Sequence, residues 1–433
     1  MHATPAPAQR VWRPRRAEPN RKTTLVTVAV LFFVSAWLLV ALGGCATSQT
    51  RPMHATMLNA DLSGSGPGKL DDAVTLPDVD PALRSASSLA ARITYRSSSG
   101  IDDSPTQVTA AVFVPLGAPP PQGWPIVALG HPATGIQHDC APSQSPTLLG
   151  SEGAVLSLLQ AGYVVTISDY QGLGLGTTYH PFLDSSTVGV NLIDSVFAAR
   201  RLVTTTSIHW IALGLGQGGE AAWAANELSD NAGRGLDLLG AVSLSPAADL
   251  TGLGDAAVTG TLTTEQKLAL QWYLAALKNE YPNVNLDDYR RGVVGDKWDV
   301  LSACQRSADP ERASVAEQIP ADDLRPSSLP AADRLRGFLQ KTNLPQGPTA
   351  APMLVIYGDD DPLIPAAWTE RALNRACKMG DTIAIETAPD TGYADPDMPA
   401  ALGWMKDLAA GNAARDDCPT FGGQRNESST ASP

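Results

Sequence analysis

Four glycines within six residues mark the stretch of this chain whose residue types could do chemistry. The stretch reads Gly214-Leu-Gly216-Gln-Gly-Gly219; an apolar run precedes it and a helix-forming run over 220–228 follows. Gly214, Gly216 and Gly219 match G-x-G-x-x-G, the spacing of a dinucleotide-binding turn. Residues 214–218 also match a nucleophile elbow, G-x-S-x-G, with glycine in the serine position. A third interpretation is purely structural, because glycines let a helix fold back tightly on its strand.

The sequence around this turn alternates between short apolar runs and amphipathic runs. The predicted strands are 92–96, 107–114, 125–129, 163–168, 208–213, 239–244, 353–357 and 383–386. The predicted helices of the same region are 151–160, 187–203, 220–228, 368–379 and 399–409. Strands that alternate with helices predict an α/β fold with a doubly wound, mostly parallel sheet.

The alternation stops over residues 250–348. This segment contains an amphipathic helix at 264–278 and then a stretch rich in Pro and Asp, so we predict a helical cap inserted into the α/β core. The predicted division of the chain is an export or anchor segment at 1–45, a flexible tether at 46–75, the core at 76–249 and 349–418, the cap at 250–348, and a disordered tail at 419–433.

Several motifs carry a family resemblance. They are Arg92-Ile-Thr-Tyr-Arg-Ser, the loop from Gly135 to Cys140-Ala-Pro-Ser143, Gly162-Tyr-Val-Val, Asp169-Tyr-Gln-Gly-Leu-Gly174, Gln217-Gly-Gly219 and Tyr357-Gly-Asp-Asp-Asp361-Pro-Leu-Ile-Pro365. In order and spacing, over about residues 70–418, the chain resembles the secretory lipase family of α/β-hydrolases, which includes a fungal lipase with a helical lid. The resemblance implies an α/β-hydrolase fold with a cap.

This context favours the elbow over the dinucleotide turn. A dinucleotide fingerprint normally lies in the first βα unit, and an acidic residue ends the next strand. Here the glycines follow a late strand, and the next strand ends at Leu244-Ser245.

The resemblance also implies where a catalytic triad belongs. Acyl transfer needs a hydroxyl nucleophile, a histidine that takes its proton and an acid that orients the histidine, in the chain order Ser, Asp, His for this fold. The family has serine at the centre of the elbow, where this chain has Gly216. Asp361 stands in the position of the acid, and Tyr393 occupies the position of the histidine.

No histidine of the sequence can fill the missing position. All six precede Gly216: His2, His54, His131, His138, His180 and His209. Two of the three triad members are therefore replaced. Glycine is physically favoured at an elbow, because a residue with a Cβ atom carries about 1–3 kcal/mol of backbone strain at such a position.

An oxyanion hole needs two N–H donors beside the nucleophile position. The resemblance implies that the N–H of Gln217 is one and that the Ala133–Thr134 loop supplies the other, since Pro132 has no N–H.

Cys140 and Ser245 are weaker candidates for a nucleophile. The acidic run 359–361 could bind a cation, but an inherited acid with two solvated neighbours is the favoured explanation, and we expect no metal or cofactor.

The cysteines after residue 45 are Cys140, Cys304, Cys377 and Cys418. An even number in an exported chain favours two disulfides, and four cysteines allow three connectivities. Cys377 lies in the predicted helix before the last strand and Cys418 follows the last helix, so we predict that they pair. Cys140–Cys304 then follows by elimination.

The N-terminus carries export signals. Residues 1–44 hold six basic side chains and one acidic one, although the whole chain has a formal charge of −13, which argues against nucleic-acid binding. The apolar run Leu25–Leu42 ends before Gly-Gly-Cys45 and resembles a bacterial lipoprotein signal with Cys45 as the lipidated residue. An uncleaved signal anchor is the alternative. Both place the body outside the cytoplasm.

These observations lead to one favoured hypothesis and two alternatives. The favoured hypothesis is a catalytically degenerate secretory lipase that keeps an apolar pocket for an acyl chain or another lipid. The first alternative is an active carboxylic-ester hydrolase with a rearranged site. The second is a non-catalytic envelope scaffold. The sequence does not determine the oligomeric state.

Overall fold

A computed structural model describes residues 54–304, 310–389, 392 and 398–422. The strands are β1 Leu70–Thr75, β2 Ser87–Ser98, β3 Pro105–Pro115, β4 Trp124–Gly130, β5 Val164–Ser168, β6 Thr206–Leu215, β7 Asp237–Leu244, β8 Met353–Gly358 and β9 Ile383–Ala388. The helices are α1 Pro81–Ala86, α2 Glu152–Gln160, α3 Ser185–Leu202, α4 Gln217–Ala232, α5 Gly252–Thr259, α6 Thr264–Glu280, α7 Gly292–Asp296, α8 Trp298–Leu301, α9 Pro310–Glu317, α10 Leu329–Thr342, α11 Ala366–Met379 and α12 Met398–Ala409.

The described residues form one nine-stranded sheet in the order β1-β2-β3-β5-β4-β6-β7-β8-β9. Pairing is antiparallel from β1 to β5 and parallel from β5 to β9. The predicted doubly wound, mostly parallel sheet is therefore confirmed.

Helices cover both faces of the sheet because its central strands are apolar on both sides. In β4, Ile126 and Ala128 join an apolar cluster with α3, α4 and α11. The alternate residues Val127 and Leu129 join a second cluster with α2 and α12. This arrangement leaves the carboxyl ends of the parallel strands at one edge, where the site is built.

The predicted flexible tether over 46–75 is wrong for its last residues. Leu70–Thr75 form β1, which pairs with β2, and Leu70 and Ala73 are buried. The residues just before this strand are rich in Ser, Gly and Pro, which is typical of a loop, so the strand was not predicted. The predicted start of the disordered tail, at residue 419, is also too early, because Phe421 packs against the core. Residues 423–433 lie outside the described residues.

The described part of the segment between β7 and β8 contains the six helices α5 to α10 and no strand. These helices have an apolar cluster of their own, which includes Leu253, Leu270 and Leu335. Asp249, just before the cap, accepts a hydrogen bond of 2.8 Å from Arg375 on α11, and Arg375 also donates to the carbonyl of Leu344, which follows the last cap helix α10. One arginine thus holds both ends of the cap to the core.

Candidate functional site

The elbow lies between β6 and α4. β6 ends at Leu215, α4 begins at Gln217, and Gly216 between them has φ 61° and ψ −114°. This is a left-handed backbone conformation that glycine adopts without the strain that a Cβ brings. The N–H of Gly216 donates to the carbonyl of Leu244 at 2.9 Å, and its carbonyl accepts from the N–H of Ala247 at 3.0 Å. The elbow is therefore fixed to the end of β7.

The neighbouring glycines allow the helix to lie directly against two strands. A Cβ on Gly214 would lie 2.1 Å from the carbonyl oxygen of Gly218, and a Cβ on Gly218 would lie 1.9 Å from the carbonyl oxygen of Gly130. Both contacts are with backbone atoms, which cannot move aside. The structural interpretation of the glycine-rich turn therefore holds for these residues.

Gly216 differs from these neighbours because a Cβ built on it has no heavy atom within 4 Å. A side chain at this position would project into open space. That space is part of a cavity of about 350 Å³ beneath the cap. The cavity is lined by Pro132, Ala133, Phe182, Leu183, Gly216, Gln217, Ala247, Leu250, Glu265, Leu268, Ala269, Trp272, Cys304, Arg312, Ala313, Leu363 and Ile364.

Asp361 follows β8 and is 7% exposed. Its Oδ1 atom accepts hydrogen bonds from the N–H groups of Leu363 at 2.8 Å and Ile364 at 2.9 Å. The two residues before it in the acidic run, 359 and 360, are exposed. The loop therefore turns only its last carboxylate inward, in a fixed orientation.

Tyr393, the predicted histidine-position residue, lies outside the described residues. Its neighbour Gly392 is described, and a Cβ on Gly392 would lie 3.7 Å from the Cα atom of Asp361. The chain thus passes beside the Asp361 loop one residue before position 393. Cys45, the predicted lipidation site, also lies outside the described residues.

Of the oxyanion candidates, Gln217 and Ala133 line the cavity beside Gly216. Thr134 is buried behind the wall, where its hydroxyl donates to the carbonyl of Cys140 at 2.8 Å. Ala133 is therefore better placed than Thr134 for the second donor. The N–H of Gln217 is at the N-terminus of α4, where the helix dipole favours negative charge.

His180 is a residue whose position the sequence analysis did not foresee. Its Nδ1 atom lies 2.9 Å from the carbonyl of Gln171, so Nδ1 carries the proton. Its Nε2 atom then accepts from the side-chain amide of Gln217 at 3.1 Å. Burial lowers the pKa of His180 to about 4, so the ring is neutral. The lone pair on its Nε2 atom already accepts the hydrogen bond from Gln217.

His131 is a second buried histidine near the elbow. Its ring stacks on Tyr170 with centroids 4.3 Å apart, and its Nδ1 atom donates to the carbonyl of Pro132 at 2.7 Å. Burial lowers the pKa of His131 to about 4. His131 is therefore a hydrogen-bonded residue of the loop after β4. No sequence signal brought His131, Tyr170 and His180 together, because they come from separate loops.

Both predicted disulfides are confirmed. Cys140 bonds to Cys304 and Cys377 bonds to Cys418, each with Cα atoms 5.1 Å apart. The first bond joins the loop after β4 to the cap and places Cys304 on the cavity wall. It also removes Cys140 as a candidate nucleophile. Ser245, the other weak candidate, follows β7, and the cavity lining does not include it.

Three comparisons with known proteins complete the description of the site. A model of the secretory lipase family matches residues 149–417, more than half of the chain. No curated protein matches the sequence. The structure is similar to that of Candida antarctica lipase A in its closed state, with a TM-score of 0.66 and 14% identity over 84% of this chain and 87% of that one.

A second similar structure is a ligand-bound form of LipA from Xanthomonas oryzae, described as a rice cell wall degrading esterase. Its TM-score is 0.61 and its identity is 20%, over 80% of this chain and 97% of that one. At these identities the likeness shows the fold alone.

Proposed function

The chain belongs to the secretory lipase family, and from this membership we propose that it is a catalytically degenerate member that binds an acyl lipid beneath its cap. The observation that carries the proposal is Gly216. The residue has the backbone geometry of an elbow and opens onto the cavity, yet it has no side chain. Without a hydroxyl, the elbow cannot form an acyl-enzyme.

The base of the reaction is missing as well. The sequence contains no histidine after Gly216. The described histidines nearest the elbow, His131 and His180, are buried and neutral, and the free lone pair of His180 accepts from Gln217. These contacts weigh against an active hydrolase with a rearranged site, because such a site needs a base that reaches a nucleophile.

The cavity supports binding over a scaffold role. Its wall is mainly apolar, and its volume of about 350 Å³ is within the range of small-molecule sites. A concave, mainly apolar site with a few polar side chains, here Gln217, Glu265 and Arg312, is typical of a small-molecule site and is not needed for a scaffold role.

The location proposed for this activity is the cell envelope. The secretory family and the two disulfides indicate a protein outside the cytoplasm. No helix within the described residues is long and apolar enough to cross a membrane.

Attachment through a lipid on Cys45 is part of the proposal. It predicts that Cys45→Ser moves the protein from the membrane fraction to the soluble fraction, and an unchanged membrane fraction contradicts it.

A photoreactive fatty acid tests lipid binding. We expect the full chain, held in lipid nanodiscs, to be labelled on peptides of α6, because α6 lines the cavity. Ala247→Phe, which fills the space beside Gly216, should reduce this labelling at least about tenfold, while circular dichroism shows the fold unchanged. Equal labelling of the wild type and a folded Ala247→Phe variant would show that the lipid does not enter the cavity.

A further inference from the structure

The chain returns from the cap to the core through a short segment between α10 and β8, residues 344–351, which we call the return strap. The strap has no ionisable side chain. Two of its backbone N–H groups, those of Gln346 and Gly347, donate to the Oε2 atom of Glu227 on α4, at 3.0 and 3.1 Å. One carboxyl group of the core therefore holds two consecutive residues of the strap.

A second carboxyl group holds the strap two residues farther along. The N–H of Thr349 donates to the Oδ1 atom of Asp381 at 2.9 Å, and Asp381, between α11 and β9, is only 5% exposed. The last residue of the strap, Ala351, exchanges two hydrogen bonds with the side-chain amide of Asn226, at 2.8 and 2.9 Å. Asn226 does not ionise. Glu227 and Asp381 are therefore the attachments that protonation can change.

The surroundings of these two acids favour their neutral forms. The pKa of Glu227 is raised to about 7, because burial outweighs the two N–H donors and because Asp381 adds a like charge. Burial also raises the pKa of Asp381. Arg375 of α11 binds the strap as well, at the carbonyl of Leu344, but its charge is paired with Asp249. The strap itself contributes no charge.

The direction of the pH effect follows from the pKa of Glu227. A carboxyl group whose pKa is higher while the strap is attached than after its release favours attachment when it is protonated. This contribution is complete below the ordinary glutamate pKa of 4.5 and is lost as the pH rises through 7. Above that pH, release of the strap lets water reach both carboxylates.

We propose that the return strap is a pH-sensitive latch of the cap, closed when Glu227 and Asp381 are protonated and opened when they ionise. The opening involves the strap and the adjoining end of α10. The rest of the cap stays in place, because the Cys140–Cys304 disulfide ties it to the loop after β4. The latch does not depend on what the cavity binds.

Hydrogen exchange of the full chain in nanodiscs, measured by mass spectrometry at pH 5 and pH 8, tests the latch. Each exchange rate is divided by the chemical rate of a free amide at the same pH, which leaves the protection due to structure. The N–H groups of residues 346, 347 and 349 should lose protection at least about 30-fold between pH 5 and pH 8. Peptides of α6, elsewhere in the cap, should keep theirs.

Two variants remove the ionisable groups but keep an oxygen that accepts from the strap. Glu227→Gln should keep the strap nearly as protected at pH 8 as at pH 5, because its side chain stays neutral. Asp381→Asn removes the like charge beside Glu227 and should make the loss of protection several-fold smaller than in the wild type. If Glu227→Gln fails to fold, the wild-type comparison and Asp381→Asn still decide the question.

Asp194→Asn is the matched control. Asp194 on α3 is also buried and has a pKa raised to about 7 by burial, but it accepts its hydrogen bond from Ser97, at 2.7 Å, and not from the strap. This variant should lose strap protection at pH 8 as the wild type does. Equal protection of the wild-type strap at both pH values would overturn the proposal. So would a loss that persists undiminished in folded Glu227→Gln or Asp381→Asn protein, or one that Asp194→Asn abolishes.

Discussion

Gly216→Ser combined with Tyr393→His is expected to give this chain ester hydrolysis at least about 100-fold faster than either single change, because a nucleophile and its general base act as a unit. Serine supplies the hydroxyl and histidine removes its proton. Neither group helps without the other. The gain should be seen mainly in kcat/KM for a short-chain p-nitrophenyl ester.

The geometry of the elbow supports this expectation. A Cβ at Gly216 meets no heavy atom within 4 Å, so a serine side chain fits into the cavity. Asp361 is already oriented by two backbone N–H groups, and Gly392 passes beside it. The cost is in the backbone, because serine at φ 61° carries about 1–3 kcal/mol of strain. Gly216→Ser should therefore be less stable than the wild type and almost inactive.

A third change provides the control for this experiment. Asp361→Asn in the double variant should remove most of the new activity, because the acid holds the histidine in the tautomer that the reaction needs. If the folded double variant does not hydrolyse the ester, or if Asp361→Asn leaves its activity unchanged, then Asp361 and position 393 are not the remains of a triad.

Gly218→Ala is expected to destabilise the fold by at least about 3 kcal/mol, or to prevent folding, because the added methyl has no room. The new Cβ would lie 1.9 Å from the carbonyl oxygen of Gly130 and 2.9 Å from that of His131. Neither backbone group can rotate away. To admit the methyl, α4 would have to move off the sheet, and the elbow would move with it.

Gly403→Ala is the control for this substitution. Gly403 lies inside α12, and a Cβ on it meets nothing within 4 Å. Alanine there should raise the free energy of unfolding by about 0.5–1 kcal/mol, since glycine is the poorer helix former. Urea unfolding followed by circular dichroism measures both variants. A Gly218→Ala protein as stable as Gly403→Ala would refute the close approach of α4 to β4.

The alternation of apolar and amphipathic runs was enough to predict the sheet and the helices over most of the core. Periodicity records which faces are buried, and the parallel strands are buried on both faces, so their signal is strong. β1 was missed because it follows a stretch whose composition is typical of a loop. Its short pattern, with Leu70 and Ala73 buried, does not alternate regularly.

The site was predictable only where its residues lie close together in sequence or match the family pattern. Gly216, Gln217 and Asp361 were identified in this way. The Cys377–Cys418 disulfide followed from the positions of its cysteines relative to the predicted elements, and Cys140–Cys304 followed by elimination. His180, which contacts Gln217, and Trp272, which lines the cavity from the cap, were not foreseen, because they come near the elbow only after a loop and the cap fold over it. Such convergence depends on tertiary packing, which leaves no local periodic signal.

The central claim, that this chain forms no acyl-enzyme, is tested most directly with a fluorophosphonate probe, which bonds covalently to activated serine nucleophiles. The wild-type chain is incubated with the probe, and its intact mass is measured. The Gly216→Ser/Tyr393→His variant serves as the positive control and should gain the mass of one probe. We expect the mass of the wild type to stay unchanged. A wild-type chain that gains one probe, at a single residue located by peptide mapping, would contradict the claim and identify an active nucleophile.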